Sequence, residues 1–280
     1  MLLRVQHQIL YAYSEPVTLD PHVLYLYPRT SPFVEVTQFE LLIEPQPSLL
    51  VRNLDAEGNT QYITYYQGLT TNLSISMVVT VRNTLTNPFE FILYPFSAQN
   101  LPFSYEETLK SSLHQYLTKE GVTAMVEQFA RQIASKAKWN TLRFLLELNQ
   151  HIRENFSYEI RDEGAPKPAE YTLRLRKGSC RDFVVLFMAV CRAVGVAARF
   201  VSGYHYGNAD EVHYLHAWAE VYLPGAGWRG YDPTQNCLTA HTHIPLAAAA
   251  QPEQVTPVAG VYRGQARSNM LTTLRVLELS

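Results

Sequence analysis

Hydrophobic and polar residues alternate with a period of two along much of the first hundred residues. The alternating runs are residues 3–11, 23–27, 38–43, 61–66 and 73–81. This period is typical of strands with one buried face, and turn-forming residues separate the runs. The pattern predicts six or so short strands and no helix, which indicates a β-sandwich as an N-terminal domain over residues 1–100.

The period changes to that of helices after about residue 100. Ser104 and Glu107 form a capping-box signature, and apolar residues at helical spacing follow as far as Gly121. The other predicted helices and the strands after them are 126–137, 145–155, 180–195, 197–201, 215–222, 228–231 and 271–279. A Pro- and Ala-rich stretch from Pro245 to Pro257 is predicted to be a long surface loop. Helices followed by strands make residues 101–280 an α+β domain.

The composition restricts the possible partners. The chain has 280 residues, a net charge of −2 and 47% hydrophobic residues, so no strong attraction to nucleic acid or to an anionic membrane is expected. The first residues alternate in polarity, unlike a signal peptide, and the longest apolar run is too short to cross a bilayer. The chain has three cysteines, and their spacing is not that of a metal site. We therefore expect a cytoplasmic protein with no cofactor, and its oligomeric state stays open.

A cysteine, a histidine and an aspartate stand in three short segments that favour catalysis. Cys180 follows a glycine and begins the most apolar predicted helix, and the positive end of a helix dipole favours a reactive thiolate. His216 lies in the predicted strand 215–222, and Asp232 directly follows the next predicted strand, 228–231. A nucleophile, a base and a group that orients the base together predict thiol-dependent acyl transfer.

The turn sequence PGAG at 224–227 is expected to place His216 and Asp232 side by side in a hairpin. Opposed residues of paired strands have Cβ atoms roughly 5 Å apart, close enough for an imidazole–carboxylate hydrogen bond. The small residues Ala217 and Ala219 suit packing against the helix of Cys180, which would put His216 on the opposite face. The pattern alone leaves this conflict open.

Less specific interpretations of the same residues remain. Cys191 and Cys237 are expected to be inert small hydrophobic residues, and Arg181 and Asp182 either are solvated or line the cleft. Five histidines are close together in sequence, at positions 205, 213, 216, 241 and 243. They show no recognised ligand spacing on one element, so no metal site is predicted.

Three separated segments resemble a known family, in the same order. They are GSCRDFVVLFMAVCRAVGVAARFVSG (178–203), HAWAEV (216–221) and GWRGYDPT (227–234). These segments are similar to the core of the bacterial transglutaminase-like superfamily, and YSEPV at 13–17, DPH at 20–22 and GVYRG at 260–264 are similar to the regions that flank it. The resemblance implies a papain-like core with Cys180 as nucleophile, His216 as base and Asp232 as orienter. One departure is visible at 243–245, where the family often has an acidic residue or an Arg-Asp pair and this chain has His-Ile-Pro.

The predicted reaction begins with attack of the Cys180 thiolate on a carboxamide or peptide carbonyl, which gives a thioester. The backbone N–H of Cys180 is expected to stabilise the oxyanion, and Tyr158 is a candidate for a further cleft or oxyanion group. The expected substrate is a protein or peptide with an amide group. Attack by water would make the enzyme a protease or amidase, and attack by an amine would make it a transglutaminase. A binding or scaffold protein on the same fold is the alternative of another class.

Overall fold

The computed structural model describes residues 1–161, 164–207 and 213–279. The N-terminal region contains six antiparallel strands. They are β1 (Leu2–Leu19), β2 (His22–Leu24), β3 (Val34–Glu44), β4 (Leu49–Leu54), β5 (Thr60–Tyr65) and β6 (Thr70–Asn83). The predicted alternation is present in β6, whose odd-numbered residues from Leu73 to Val81 are buried. The strands divide between two sheets, and one apolar cluster contains buried residues of both.

Helices dominate the middle of the chain. The α-helices are α1 (Glu107–Ser112), α2 (Ala124–Lys136), α3 (Thr141–Asn155), α4 (Ala169–Leu175) and α5 (Cys180–Ala193), with 3-10 turns at Phe96–Gln99, His114–Tyr116 and Pro252–Val255. Two short strands, β7 (Ser157–Tyr158) and β8 (Lys177–Gly178), pair in parallel immediately before α5. None of the helices described is long and apolar enough to cross a membrane.

The C-terminal strands form the second main sheet and complete the first. They are β9 (Ala198–His205), β10 (His216–Leu223), β11 (Gly227–Asp232), β12 (Cys237–Leu238), β13 (His243–Ala249), β14 (Val258–Ala259), β15 (Tyr262–Arg263) and β16 (Ser268–Leu279). The order β12-β11-β10-β9-β13 is antiparallel throughout, and α5 packs on one face of this sheet. The predicted fold class, an α+β papain-like core preceded by an N-terminal β-sandwich, is confirmed, and the N-terminal strands form two antiparallel sheets around one apolar cluster.

Helix α5 begins at Cys180, inside a capping box formed by the N-cap Ser179 and Asp182. Asp182, which the sequence left as either solvated or cleft-lining, is fully buried. Its carboxylate accepts four hydrogen bonds: from the backbone N–H of Ser179 at 2.8 Å and of Lys167 at 2.6 Å, from the Ser179 hydroxyl at 3.0 Å and from Arg161 at 2.7 Å. The helix start is therefore fixed by buried, charge-assisted hydrogen bonds.

Two sequence predictions about elements are wrong. The helix expected from Ser104 to Gly121 is only the single α-helical segment α1 followed by a 3-10 turn, and its N-cap is Glu106 without a side-chain cap. The surface loop expected from Pro245 to Pro257 begins instead with the buried strand β13, which pairs with β9. Residues 247–250 are all alanines and are all buried. Their small side chains allow β13 to pack closely against the neighbouring elements.

The two halves of the chain share strands and apolar core. The last strand, β16, pairs with β1 along its whole length, from Leu2 opposite Leu279 to Tyr13 opposite Ser268. Tyr204, Ile244 and Leu246 of the C-terminal sheet are buried in the N-terminal cluster. A boundary near residue 100 stays a prediction, and these contacts show how closely the two regions pack.

Candidate active site

Cys180, His216 and Asp232 come together where α5, β10 and β11 meet. Nε2 of His216 lies 2.6 Å from Oδ2 of Asp232, and the Cys180 thiol is close enough to raise the pKa of the His216 imidazole. Because Nε2 faces the carboxylate, Nδ1 is the ring nitrogen available to exchange a proton with the thiol. The structure thus brings the three predicted residues into one chain of contacts.

The conflict over strand faces is resolved at the ends of the elements. Ala217 and Ala219 do pack in the cluster of α5, whereas Trp218 packs in a separate cluster on the other face. His216 is the first residue of β10 and Cys180 is the first residue of α5. Neither element extends beyond these two residues on this side. The imidazole of His216 can therefore approach the thiol of Cys180 around the edge of the sheet.

The hairpin forms as predicted and carries Asp232 at its end. Strands β10 and β11 are antiparallel, with Ala219 opposite Tyr231 and Leu223 opposite Gly227. Beyond the hairpin, His216 pairs with Gly203 of β9. A Cβ at Gly203 would lie 2.5 Å from the Trp218 ring and 2.3 Å from a backbone oxygen, so glycine is required for this close approach.

The Asp232 carboxylate is fully buried and accepts four hydrogen bonds. Oδ1 accepts from the backbone N–H of Thr234 at 2.9 Å and of Gln235 at 3.1 Å. Oδ2 accepts from His216 and, at 3.2 Å, from Nε2 of His243. The carboxylate is therefore held in one orientation by donors on both oxygens.

Charges in the site stabilise an imidazolium beside a carboxylate. Burial alone would lower the pKa of His216, but the Asp232 carboxylate and then the Cys180 thiol raise it to about 10. Burial opposes ionisation of Asp232, yet His216 and then His243 hold its pKa far below the usual range. The pair is charged at neutral pH, which is the state that a thiolate nucleophile requires of its base.

Tyr158 lies at the mouth of the site, on β7. Its side chain is partly exposed, and its ring lies edge-on to that of Phe183, with centroids 6.2 Å apart. Burial raises the pKa of Tyr158, and the neighbouring Cys180 raises it further. The hydroxyl is thus protonated at neutral pH and lies near enough to Cys180 to sense its charge, which makes Tyr158 a group of the cleft.

The thiol is less accessible than a helix start suggests. Cys180 is 7% exposed and belongs to the main apolar cluster together with Phe183. A place at the start of a helix would suit a thiol at the surface, but the side chain of Cys180 is buried.

Sequence reasoning missed His243, which the structure places against the triad. His243 is 2% exposed, and its Nδ1 lies 3.1 Å from the hydroxyl of Thr242. The ring of His205 is 4.5 Å from that of His243 between centroids, and burial followed by the two neighbouring histidines lowers the pKa of His205 to about 3. The clustering of histidines in the sequence was the available signal, but His243 lies between the predicted strand 228–231 and the predicted loop 245–257, where the sequence pattern indicated no element.

Among the residues that the structure describes, one group has ligand atoms placed for a metal ion. Asp232, Cys237 and His243 each present one such atom, and these atoms lie within 4.8 Å of one another. The sequence spacing did not predict this cluster, because β12 and β13 bring it together only in the fold. Two of its members are already hydrogen-bonded to each other.

Two family models match this chain. The transglutaminase-like superfamily model covers residues 127–233, which include the three proposed catalytic residues, and the model of the bacterial transglutaminase-like N-terminal region covers residues 3–82. The chain is a transglutaminase-like superfamily protein with the bacterial N-terminal region. This membership supports thiol-dependent catalysis in general.

The individual relatives agree with this assignment. An uncharacterized protein of Mycobacterium tuberculosis is 26% identical over 273 residues, which is 92% of this chain and 86% of the relative. A protein-glutamine gamma-glutamyltransferase of Pseudomonas aeruginosa is 32% identical over 97 residues, which is 31% of this chain and 14% of that protein. A crystal structure from Cytophaga hutchinsonii, described as a "putative cysteine protease", matches with a TM-score of 0.74 at 18% identity over 100% of this chain and 92% of that one. That last likeness concerns the fold.

Proposed function

We propose that the protein is a cysteine-dependent acyl-transfer enzyme that acts on an amide of a protein or peptide. Cys180 is the nucleophile, His216 the base and Asp232 the orienting carboxylate. The buried contact of 2.6 Å between His216 and Asp232, with the Cys180 thiol close enough to raise the pKa of the same imidazole, carries this proposal. A nucleophile activated by a base, with a third group that orients the base, is the arrangement that catalyses acyl transfer through a covalent intermediate.

The proposed reaction uses each group at a stated atom. The sulfur of Cys180 attacks the carbonyl carbon, and the oxyanion accepts a hydrogen bond from the backbone N–H of Cys180, which belongs to the first turn of α5 and has no acceptor within the helix. The Tyr158 hydroxyl, which lies beside the sulfur, is the proposed cleft donor. Nδ1 of His216 then protonates the leaving nitrogen, which leaves a thioester for water or an amine to attack.

The nucleophile can be identified with an electrophile that mimics an amide. We expect chloroacetamide, followed by peptide mapping in a mass spectrometer, to modify Cys180 first. Cys191 and Cys237 are internal controls, because burial raises the pKa of both thiols, that of Cys237 to about 12. Cys180→Ser should remove the fast reaction. Earlier modification of Cys191 or Cys237, or none, would contradict the proposal and favour a scaffold protein.

The acyl acceptor needs a second experiment. A glutamine-containing peptide is incubated with the enzyme, with and without a primary amine, and the masses of the products are measured by mass spectrometry. Loss of ammonia with gain of water indicates an amidase, a cut backbone a protease, and incorporation of the amine a transglutaminase. We also propose a cytoplasmic location, supported by three free cysteines, and fractionation of cells would test it.

A further inference from the structure

His243 is a buried titratable residue that the proposed mechanism leaves without a role. It is the first residue of β13, and its backbone pairs with His205 of β9. Its ring meets Trp218 edge-on, with centroids 5.2 Å apart, and stands beside the rings of His205 and His216. Packing on every side fixes the ring plane and therefore the direction of Nε2.

The hydrogen bonds of His243 define what this ring does. Nε2 lies 3.2 Å from Oδ2 of Asp232, the same oxygen that His216 contacts. A carboxylate oxygen only accepts hydrogen bonds, so Nε2 carries the proton and Nδ1 accepts from the hydroxyl of Thr242. His243 is thus a neutral donor whose tautomer is fixed by its neighbour, and burial lowers its pKa.

The backbone of His243 is held by a residue of the N-terminal region. Nδ2 of Asn83, at the end of β6, donates to the carbonyl oxygen of His243 at 2.9 Å and to that of Ala240 at 3.3 Å. Asn83 is 2% exposed, and its own backbone exchanges hydrogen bonds with Met1. The carbonyls on either side of the turn before β13 are therefore tied to the N-terminal sheet.

We propose that His243 is a positioning residue, which holds the Asp232 carboxylate in the orientation that His216 requires, and that Asn83 anchors it to the N-terminal sheet. This inference rests on the proposed function. Without His243, Oδ2 keeps one donor and the carboxylate gains freedom to rotate away from Nε2 of His216. The N-terminal region then contributes to catalysis through two hydrogen bonds, although it supplies no reacting group.

The test compares two replacements of His243 in the full-length protein. In His243→Gln the side-chain amide nitrogen is near the place of Nε2 and still donates, whereas His243→Leu fills a similar volume without a donor. The readouts are the second-order rate of Cys180 alkylation by chloroacetamide, the thermal midpoint, and the ¹⁵N NMR signal of Nε2–H in His216. His241→Leu, two residues away, is the matched control.

We expect His243→Leu to lower the alkylation rate by roughly ten- to hundredfold, the range for a lost hydrogen bond to a charged group. His243→Gln should keep most of the rate, and the His216 signal should move only in the leucine variant. A wild-type rate in His243→Leu, or an equal loss in both variants, would overturn the positioning role. The two proposals can fail separately. If the wild-type protein shows the Nε2–H signal of His216 but Cys180 is not alkylated, the proposed function is contradicted, whereas the role of His243 in positioning Asp232 is not.

The anchor is tested separately. Asn83→Asp replaces the donor that faces the two carbonyl oxygens by an acceptor, and we expect part of the rate loss seen in His243→Leu. Asn72→Asp, at an exposed position of the same strand, is the matched control and should react as the wild type does. An unchanged rate in Asn83→Asp would overturn the anchoring.

Discussion

At the scale of single residues, Asp232 determines the state of the site. Its carboxylate is buried without contact to water and is neutralised by hydrogen bonds from two backbone N–H groups and two imidazoles. A buried charge of this kind is tolerated only when it is paired. The consequence is that the protonation of His216 depends on one carboxylate.

Replacement of Asp232 by asparagine tests this dependence. An amide can hold the imidazole in the wrong tautomer, so we expect the alkylation rate of Cys180 to fall by roughly 10²- to 10⁴-fold while the fold is kept. Stopped-flow kinetics with circular dichroism as a control would measure both. Near-wild-type reactivity would show that another group orients His216, and Glu220 on the same strand would be examined first.

The same variant changes how stability depends on pH. The folded-state pKa of His216, about 10, is above its ordinary value of 6.5, so its stabilisation is complete below about pH 6.5 and is lost as the pH rises toward 10. In Asp232→Asn the carboxylate that raises the pKa of His216 is gone, burial lowers this pKa and only the Cys180 thiol opposes burial, so the imidazole contributes a smaller slope in this window. Between pH 6.5 and 10, the free energy of unfolding should therefore fall in the wild type relative to the variant. Parallel urea titrations would measure this, and equal slopes would contradict it.

The sequence predicted the residues of the proposed triad but not their surroundings. Cys180, His216 and Asp232 each stand in a segment whose local pattern is informative, at a helix start or beside a turn. His243 has no such context, because only the pairing of β13 with β9 brings it to Asp232. The burial of Cys180 was missed for the same reason, since tertiary packing and not the helix start determines exposure.

At the scale of elements, the start of α5 sets the position of the nucleophile. Asp182 joins three parts of the chain, since it caps the helix and accepts from the backbone of Lys167 and the guanidinium of Arg161. The guanidinium is mostly buried beside a fully buried carboxylate. Removal of one partner of a buried pair leaves the other uncompensated.

Asp182→Ala should lower the free energy of unfolding by roughly 3 kcal/mol or more, because a buried ion pair and a cap are lost together. Ser179→Ala, which removes the side-chain half of the cap, should cost about 1 kcal/mol and is the matched control. Chemical denaturation measures both. A loss below that of Ser179→Ala would show that the carboxylate contributes no net stability at this position.

Elements with a strong period were predicted well, and those defined by packing were not. Helix α3 ends at Asn155 and α5 begins at Cys180, as the sequence indicates. Strand β4 was missed because it is exposed on both faces, and an exposed strand needs no alternation. Strand β13 was missed because proline and alanines, poor strand formers by propensity, occupy it.

At the scale of the whole molecule, the N-terminal sheet covers one face of the catalytic sheet. Ile244 and Leu246 of β13 point into the N-terminal cluster, whereas Ala247 and Ala249 belong to the cluster of α5. The strand next to the site is therefore part of two cores. The alternation in the first hundred residues favours a separate module, and it contains no information about this shared packing.

A chain that begins at Phe103 tests the shared packing directly. It would leave β16 without its partner β1 and expose Tyr204, Ile244 and Leu246, which are fully buried in the whole protein. Burial of each such side chain stabilises by roughly 1.5–3 kcal/mol, so their exposure together is comparable to the 5–15 kcal/mol that holds a typical domain folded. We expect this chain to aggregate or to unfold without cooperativity, and Cys180 to lose its selective reaction with chloroacetamide. Co-expression with residues 1–102 should restore both properties. A monomeric chain from Phe103 that unfolds cooperatively and reacts at Cys180 at the wild-type rate would show that the N-terminal region is a separate module, and that Asn83 is dispensable for the geometry of His243 and Asp232.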